Sequence, residues 1–150
     1  MLRYFDTSFV VPTLIPEATS EAISIFVEGL AGETPTISHW VRLEFAALLA
    51  RDVRMGVISA SAAVRFDSNF EAMVAQSYTV LLPDQADFNL AKALLGIHPT
   101  SLRAPDALHL AIAKNRRAVA FYSLDKRLLE TARSFGLPVN IGISLPGYAS

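Results

Sequence analysis

The chain has 150 residues, of which 52% are hydrophobic and 18% are charged, and its formal net charge is −1. This composition predicts one compact domain over residues 1–150 and excludes an intrinsically disordered chain. The absence of cysteine excludes disulfides and thiolate metal sites. Because the net charge is close to zero, any binding of nucleic acid must come from a local group of arginines.

The N-terminal sequence does not have the pattern of a secretion signal. Such a signal needs a basic start followed by an apolar run, whereas this chain begins Met1-Leu2-Arg3 and reaches Asp6 within a few residues. No apolar run elsewhere approaches the length of a membrane span. We therefore expect a cytoplasmic protein without a membrane partner.

The first half of the chain alternates short apolar stretches with helical patterns. Residues 2–5 predict a buried strand that stops at Asp6-Thr7-Ser8, three residue types that cap helices, before the apolar Phe9. Pro12 and Pro16 keep the helix that begins there short. The other predicted elements are a helix over 19–30, a strand over 34–38 and helices over 38–54 and 59–76.

The second half continues the same alternation. It predicts a strand over 79–82, a helix over 84–95, an exposed loop over 96–100, a helix from Pro105 to about Arg117, a strand over 118–122, a helix over 126–135 and a strand over 137–141. Pro138 makes the last strand an edge strand, because proline has no N–H to donate. This alternation predicts an α/β fold with a mainly parallel sheet covered by helices on both faces.

Three aspartates occur where such a sheet would bring them together. Asp6 and Asp125 each follow a predicted strand, and ligands of parallel sheets bind beyond the carboxyl ends of the strands where the strand order reverses. Asp106 falls in the first turn of an apolar helix, where the helix dipole favours a carboxylate. Each aspartate alone could be only a helix cap. The three together favour a common cleft.

Glu44 adds a fourth acid to this group, because it lies early in the helix that follows the second predicted strand. The helical neighbours of this residue are all apolar: Trp40, Val41, Ala47 and Leu48. Because an unpaired buried carboxylate is costly, Glu44 needs a partner or access to water. The alternatives to a functional role are a position at the rim of the protein or an ion pair with Arg51.

Grouped carboxylates require something that offsets their repulsion. Two unit charges about 4 Å apart repel by roughly 4 kcal/mol near a protein surface. Protonation or a divalent cation relieves this repulsion, and an all-oxygen ligand set suits Mg²⁺ or Mn²⁺ better than Zn²⁺. A cation held by carboxylates activates water and neutralises charge on a phosphoryl group, which makes phosphodiester hydrolysis the expected chemistry.

Polar residues near these acids have simpler interpretations beside functional ones. His109 lies between two leucines in a predicted buried helix, which favours a hydrogen-bonded core residue over a catalytic base. Three hydroxyl side chains lie near the acids: Thr7, Ser8 and Ser123. They could orient the carboxylates or contact a phosphate, or they could simply cap helices. Three arginines could contact phosphates: Arg103, Arg116 and Arg117. The alternative is that they are simply solvated at the ends of helices.

Four motifs in this order resemble those of PIN domains, over nearly the whole chain. They are Tyr4-Phe5-Asp6-Thr7-Ser8, Val41-Arg42-Leu43-Glu44-Phe45-Ala46, Arg103-Ala104-Pro105-Asp106-Ala107-Leu108-His109-Leu110-Ala111 and Ser123-Leu124-Asp125-Lys126-Arg127-Leu128. The third motif is the most specific. Among PIN proteins, the chain looks most like the VapC-type toxins of bacterial toxin–antitoxin pairs.

The resemblance implies a three-layer α/β/α sandwich and a Mg²⁺- or Mn²⁺-dependent ribonuclease. By the same resemblance, Asp6 and Asp106 would be the main metal-contacting acids, and Glu44 and Asp125 would complete the catalytic pocket. It also implies a homodimer and a small antitoxin partner whose C-terminal segment lies across the pocket. Ser123 stands where many relatives have threonine, and both residues carry a hydroxyl.

Two other functions are weighed against the nuclease. One is a PIN-like binding module that acts mainly through its protein partner and has little nuclease activity. The other is an unrelated phosphotransfer domain, such as a receiver or a haloacid-dehalogenase-like phosphatase. Such domains need paired acids or Asp-x-Asp at the end of the first strand, where this chain has Asp6-Thr7-Ser8.

Overall fold

The computed structural model of the chain describes residues 1–30 and 32–148. Strands and helices alternate within these ranges, as the sequence predicts. In chain order they are β1 (Arg3–Phe5), α1 (Thr7–Val10), a 3-10 turn (Val11–Thr13), α2 (Ser20–Glu28), β2 (Pro35–Ser38), α3 (His39–Arg54), α4 (Ala60–Ser77), β3 (Thr79–Leu81), α5 (Gln85–Leu95), α6 (Ala104–Asn115), β4 (Ala120–Tyr122) and α7 (Lys126–Ser134). In the described ranges, no helix combines the length and apolar character that crossing a membrane requires.

The four strands form one parallel sheet in the order β3-β2-β1-β4. The chain moves outward from β1 through β2 to β3 and then returns to the other side of β1 for β4. The strand order therefore reverses between β1 and β4, where a parallel sheet opens a crevice at its carboxyl edge. The backbone N–H of Asp6 donates to the carbonyl of Tyr122 over 3.0 Å, which holds the ends of these two strands together.

Helices cover both faces of the sheet. Consecutive residues of a strand point to opposite faces, so Tyr4 packs with buried residues of α5, α6 and α7, whereas Phe5 packs with those of α1 to α4. In α6, every residue from Ala107 to Ala113 is buried. The fold is thus the predicted three-layer α/β/α sandwich, and α6 is the helix enclosed on all sides that its apolar sequence predicts.

The predicted strand over 137–141 is wrong as a strand. Only a single parallel bridge forms there, between Phe121 and Val139. The N–H of Phe121 donates to the carbonyl of Pro138 over 2.8 Å, and the N–H of Asn140 donates to that of Phe121 over 2.9 Å. Pairing stops because Pro138 has no N–H and because Asn140 has a φ of 47°, outside the extended region. The segment does lie at the edge of the sheet, beside β4.

Arg116, one of the arginines considered for phosphate contact, has a structural partner in Asp87. Its guanidinium donates to both carboxylate oxygens of Asp87, over 2.8 and 3.1 Å, and the Asp87 side chain is fully buried. The side chain of Asn115 donates to the same carboxylate over 2.8 Å. This bidentate pair joins α5 to the end of α6, the helix that begins with Asp106.

Asp87→Ala should lower the free energy of unfolding by about 3–5 kcal/mol, because breaking a buried ion pair leaves one partner unpaired. The measurement is urea unfolding followed by circular dichroism. Asp84→Ala is the matched control: it removes the exposed N-cap of the same helix and should cost only about 1 kcal/mol. Equal losses in the two variants would contradict the structural role given to the buried pair.

Candidate active site

The structure brings the four acids of the sequence motifs into one cleft of about 510 Å³. Asp6 follows β1 directly, Asp125 caps α7 after β4, Asp106 lies in the first turn of α6 and Glu44 lies in α3. The reversal of strand order explains the position, because it puts the ends of β1 and β4 side by side. The cleft is also lined by Thr7, Ser8 and His109.

Asp6 is the most tightly held acid of the cleft. The hydroxyl of Ser8 donates to Oδ1 and the hydroxyl of Ser123 donates to Oδ2, each over 2.7 Å. The N–H of Phe9 donates to Oδ1 over 3.1 Å, so Asp6 also caps α1. Burial raises the pKa of the Asp6 carboxyl, and nearby His109 and the hydroxyl donors oppose that rise. Both serines orient a carboxylate, one of the roles considered for them from sequence.

Glu44 accepts hydrogen bonds from the protein at only one of its two carboxylate oxygens. The hydroxyl of Thr7 donates to Oε1 over 2.7 Å, and His109 Nε2 bonds to the same atom. Burial by itself would raise the pKa of Glu44, but the donors from His109 and Thr7 outweigh burial and leave it lowered. The side chain keeps 27% of its surface exposed. The alternative partner Arg51 instead lies 3.6 Å from Asp52.

His109 connects Glu44 to the core. Its Nδ1 lies 2.7 Å from the hydroxyl of Tyr4, which lies 2.9 Å from that of Ser38, and all three residues are buried. An ionised carboxylate only accepts, so a neutral imidazole carries its proton on Nε2 and accepts from Tyr4 at Nδ1. His109 is the hydrogen-bonded core residue that the sequence favours. Its contact with Glu44 was not foreseen, although its position three residues after Asp106 puts both on one helix face.

The pKa of the Asp106 carboxyl is raised by its position in the cleft. Burial raises the pKa of its carboxyl to about 6, and the negative charge of Asp125 is the second cause. Asp6 and Glu44 also raise it, whereas His109 lowers it. The four acids therefore interact electrostatically across the cleft and do not merely lie near one another.

Asp125 combines a structural and a site position. Its Oδ1 accepts from the N–H groups of Arg127 and Leu128, over 3.0 and 3.2 Å, and so caps α7 as predicted. The hydroxyl of Ser123 accepts the N–H of Asp125 over 3.0 Å. One serine thus ties the backbone at Asp125 to the carboxylate of Asp6.

The side chains of the cleft fit a hard divalent cation. Their donors are carboxylate and hydroxyl oxygens, and the mutual repulsion of the acids is the kind that a cation relieves. Within residues 1–30 and 32–148, no three Asp, Glu or His side chains are close enough to form a ready-made ligand cluster. Mg²⁺ does not require one, since it is usually bound through one or two carboxylates with water and substrate phosphates.

A second cleft of about 280 Å³ shares two acids, Asp106 and Asp125, with the first. It is also lined by Arg103, one of the arginines considered for phosphate contact, and by Arg127. Arg117 lines neither of these two clefts. The first cleft is lined by Arg51 and Arg54, which sequence reasoning did not single out for phosphate contact.

Comparison with known proteins gives a consistent result. The model of a family described as "PIN domain" matches residues 3–134. No curated protein sequence matches the chain. Similar solved structures include VapC20 from Mycobacterium tuberculosis, described as a "Sarcin-Ricin loop cleaving toxin" (18% identity, TM-score 0.68, 90% of this chain and 95% of that chain covered).

Two further solved structures have the same fold. VapBC2 from Rickettsia felis, bound to a DNA fragment from its promoter, matches with 12% identity and a TM-score of 0.69, and covers 93% of this chain and 98% of that chain. A toxin–antitoxin complex from Klebsiella pneumoniae matches with 15% identity and a TM-score of 0.58, and the match covers 83% of this chain and 87% of that chain. At these identities the likeness establishes the fold.

Asp106→Asn should raise the melting temperature at neutral pH and not at pH 4, with EDTA present and no divalent cation. The pKa of about 6 in the folded protein lies above the ordinary aspartate value of 3.8, so the wild type loses stability as pH rises from about 4 to about 6. Discounted for partial exposure, the gain from asparagine is about 1 kcal/mol, or roughly 2–4 °C. A destabilised Asp106→Asn at pH 7 would contradict the repulsion.

Asp125→Asn should melt at the same temperature as the wild type or higher under the same conditions. Asparagine still caps α7 while the charge that repels Asp106 is removed. Asp125→Ala loses the cap and should cost about 1 kcal/mol. Differential scanning calorimetry of both variants separates the two contributions, and equal destabilisation would leave Asp125 as a cap alone.

Proposed function

The chain belongs to the PIN domain family, and on that premise we propose that it is a divalent-metal-dependent endoribonuclease and the toxin of a toxin–antitoxin pair. The observation that carries the proposal is the convergence of Asp6, Glu44, Asp106 and Asp125 in one cleft at the carboxyl edge of the sheet. The four residues come from separate parts of the chain. A collection of unrelated helix caps would not share one cleft and repel one another.

The proposed ligands of the cation, Mg²⁺ or Mn²⁺, are Asp6 and Asp106. When bound, such a cation supplies positive charge that stabilises a phosphodiester under attack and promotes ionisation of water. Ser8 and Ser123 hold both oxygens of Asp6 in fixed positions, so this carboxylate needs little reorganisation on binding. Asp125 adds negative charge beside Asp106, which favours a cation at this end of the cleft.

Glu44 is the proposed acceptor of a proton from the attacking water. Its lowered pKa keeps the carboxylate ionised at neutral pH. Both of its hydrogen bonds within the described ranges end on Oε1, from Thr7 and His109. Oε2 is therefore the oxygen that accepts the proton, while the two donors keep the side chain in place.

RNA is the proposed substrate, and a small antitoxin is the proposed partner. The PIN-type motifs and the fold shared with VapC20, a toxin described as cleaving the sarcin–ricin loop, support the choice of RNA. The fold shared with a toxin–antitoxin complex supports the partner. The resemblance to VapC-type toxins also leads us to propose a homodimer that acts in the cytoplasm.

Asp6→Asn and Asp106→Asn should each reduce RNA cleavage by more than about 100-fold, because even outer partners of metal sites typically contribute 10- to 100-fold. Cleavage of a labelled RNA by purified protein is measured with Mg²⁺, with Mn²⁺ and with EDTA, and EDTA should stop it. Asp84→Asn is the matched control and should cleave at the wild-type rate. Circular dichroism verifies that each variant is folded.

Two results would contradict the proposal. Full cleavage by either cleft variant would remove these acids from the reaction. Stable binding of a protein partner by a wild-type protein that cleaves no RNA would favour the alternative, a PIN-like binding module.

A further inference from the structure

The acids lie where two clefts meet. The larger cleft extends from the acids along α3 past Val11, Ala47 and Leu48 to Arg51 and Arg54. The smaller cleft extends from Asp106 and Asp125 to the start of α6 and the first turns of α7. Because both clefts are lined by these two aspartates, the clefts are neighbours and the acids lie between their far ends.

Each of the two clefts is lined by two exposed arginines. Helical rise puts Arg51 about 10 Å and Arg54 about 15 Å along α3 from Glu44. At the other end, Arg103 is the N-cap residue of α6, three positions before Asp106, and Arg127 lies two positions after Asp125. All four side chains belong to exposed residues.

These arginines differ from those that hold the fold together. Arg3 pairs with Glu33, Arg42 with Glu71, and Arg116 with Asp87. In the part of the chain that the structure describes, Arg54, Arg103 and Arg127 have no ion pair, and Arg51 has only a 3.6 Å contact with its neighbour in sequence. Their positive charges are therefore available to a ligand in the clefts.

The acids alone would repel a nucleic acid. A chain with a net charge of −1 provides no overall attraction to compensate, so the attraction must come from cations next to the acids. Arginines at both ends supply it at the positions where a backbone that crosses the acids would continue. Between the acids and Arg51, the apolar wall of Val11, Ala47 and Leu48 suits the faces of bases or riboses.

We propose that one single strand of RNA lies along both clefts, with the phosphate to be cleaved over the acids. Arg51 and Arg54 bind phosphates on one side of it, and Arg103 and Arg127 bind phosphates on the other. A single strand fits this arrangement because its backbone can follow a cleft lined from both ends, as unpaired loops do in protein complexes. The inference rests on the proposed ribonuclease function and adds the path of its substrate.

The test measures binding of a fluorescein-labelled single-stranded RNA by fluorescence anisotropy, in Mg²⁺ buffer over a series of salt concentrations. Every protein carries Asp6→Asn, so that the RNA stays intact. Arg51→Gln, Arg54→Gln, Arg103→Gln and Arg127→Gln are compared with the matched control Arg65→Gln, an exposed arginine of α4 that lines neither cleft. Thermal melting verifies that the variants are folded.

We expect each cleft variant to raise the Kd roughly threefold or more, and Arg65→Gln to leave it unchanged. The slope of log K against log salt should fall by about 0.7 for each lost contact with a single strand. In a double variant with one arginine replaced in each cleft, the slope should fall by about 1.4. Binding that weakens in both sets supports the two-sided path.

Loss confined to one pair of arginines overturns the two-sided path, because the strand would then leave the acids on one side only. RNA binding equal to that of the control in all four variants also overturns the proposed path. The four arginines would then serve another partner. Wild-type cleavage of the same RNA, measured in parallel, separates the two failures. EDTA-sensitive cleavage with unaffected binding refutes the path alone, whereas no cleavage and no binding refute the proposed function as well.

Discussion

The carboxylate of Asp6, buried between the ends of β1 and β4, is the feature on which the site depends. A buried charge is costly unless hydrogen bonds hold it, and here Ser8, Ser123 and the N–H of Phe9 do so. Ser123 comes from the end of β4, so the charge is satisfied only when both strands are in register. The Ser123 hydroxyl that donates to Asp6 also accepts the backbone N–H of Asp125, which brings Asp125 to the same cleft.

Repulsion among the acids remains after these bonds form. Asp106 shows it directly, because its pKa rises to about 6 through burial and the charges around it. Glu44 avoids a similar rise through its bonds with Thr7 and His109. The cleft thus holds acids of different character: one oriented and buried, one kept ionised, and one that is costly to ionise without a cation. Such a combination suits a site that binds positive charge.

Rigid parts of the core support these polar contacts. Helix α6 is buried from Ala107 to Ala113, and its far end is bound to α5 through Arg116 and Asp87. His109 of this helix is hydrogen-bonded to Glu44 of α3 and to Tyr4 of β1. Tyr4 is in turn hydrogen-bonded to Ser38 of β2. Side chains at the site therefore come from helices α3 and α6 and from the short connections β1–α1 and β4–α7, whose ends are fixed by packed elements.

The sequence alone determined the alternation of strands and helices, the buried character of α6 and the meeting of Asp6, Glu44, Asp106 and Asp125, because strand ends and early helix positions follow from local patterns. It could not decide contacts that depend on how helices rotate and pack. Examples are the bond between His109 and Glu44, the pairing of Arg116 with Asp87, and the presence of Arg51 and Arg54 in the acidic cleft. The strand predicted over 137–141 shortened to one bridge for a different, local reason: Pro138 has no N–H to donate, and Asn140 adopts a positive φ that its apolar surroundings in the sequence did not indicate.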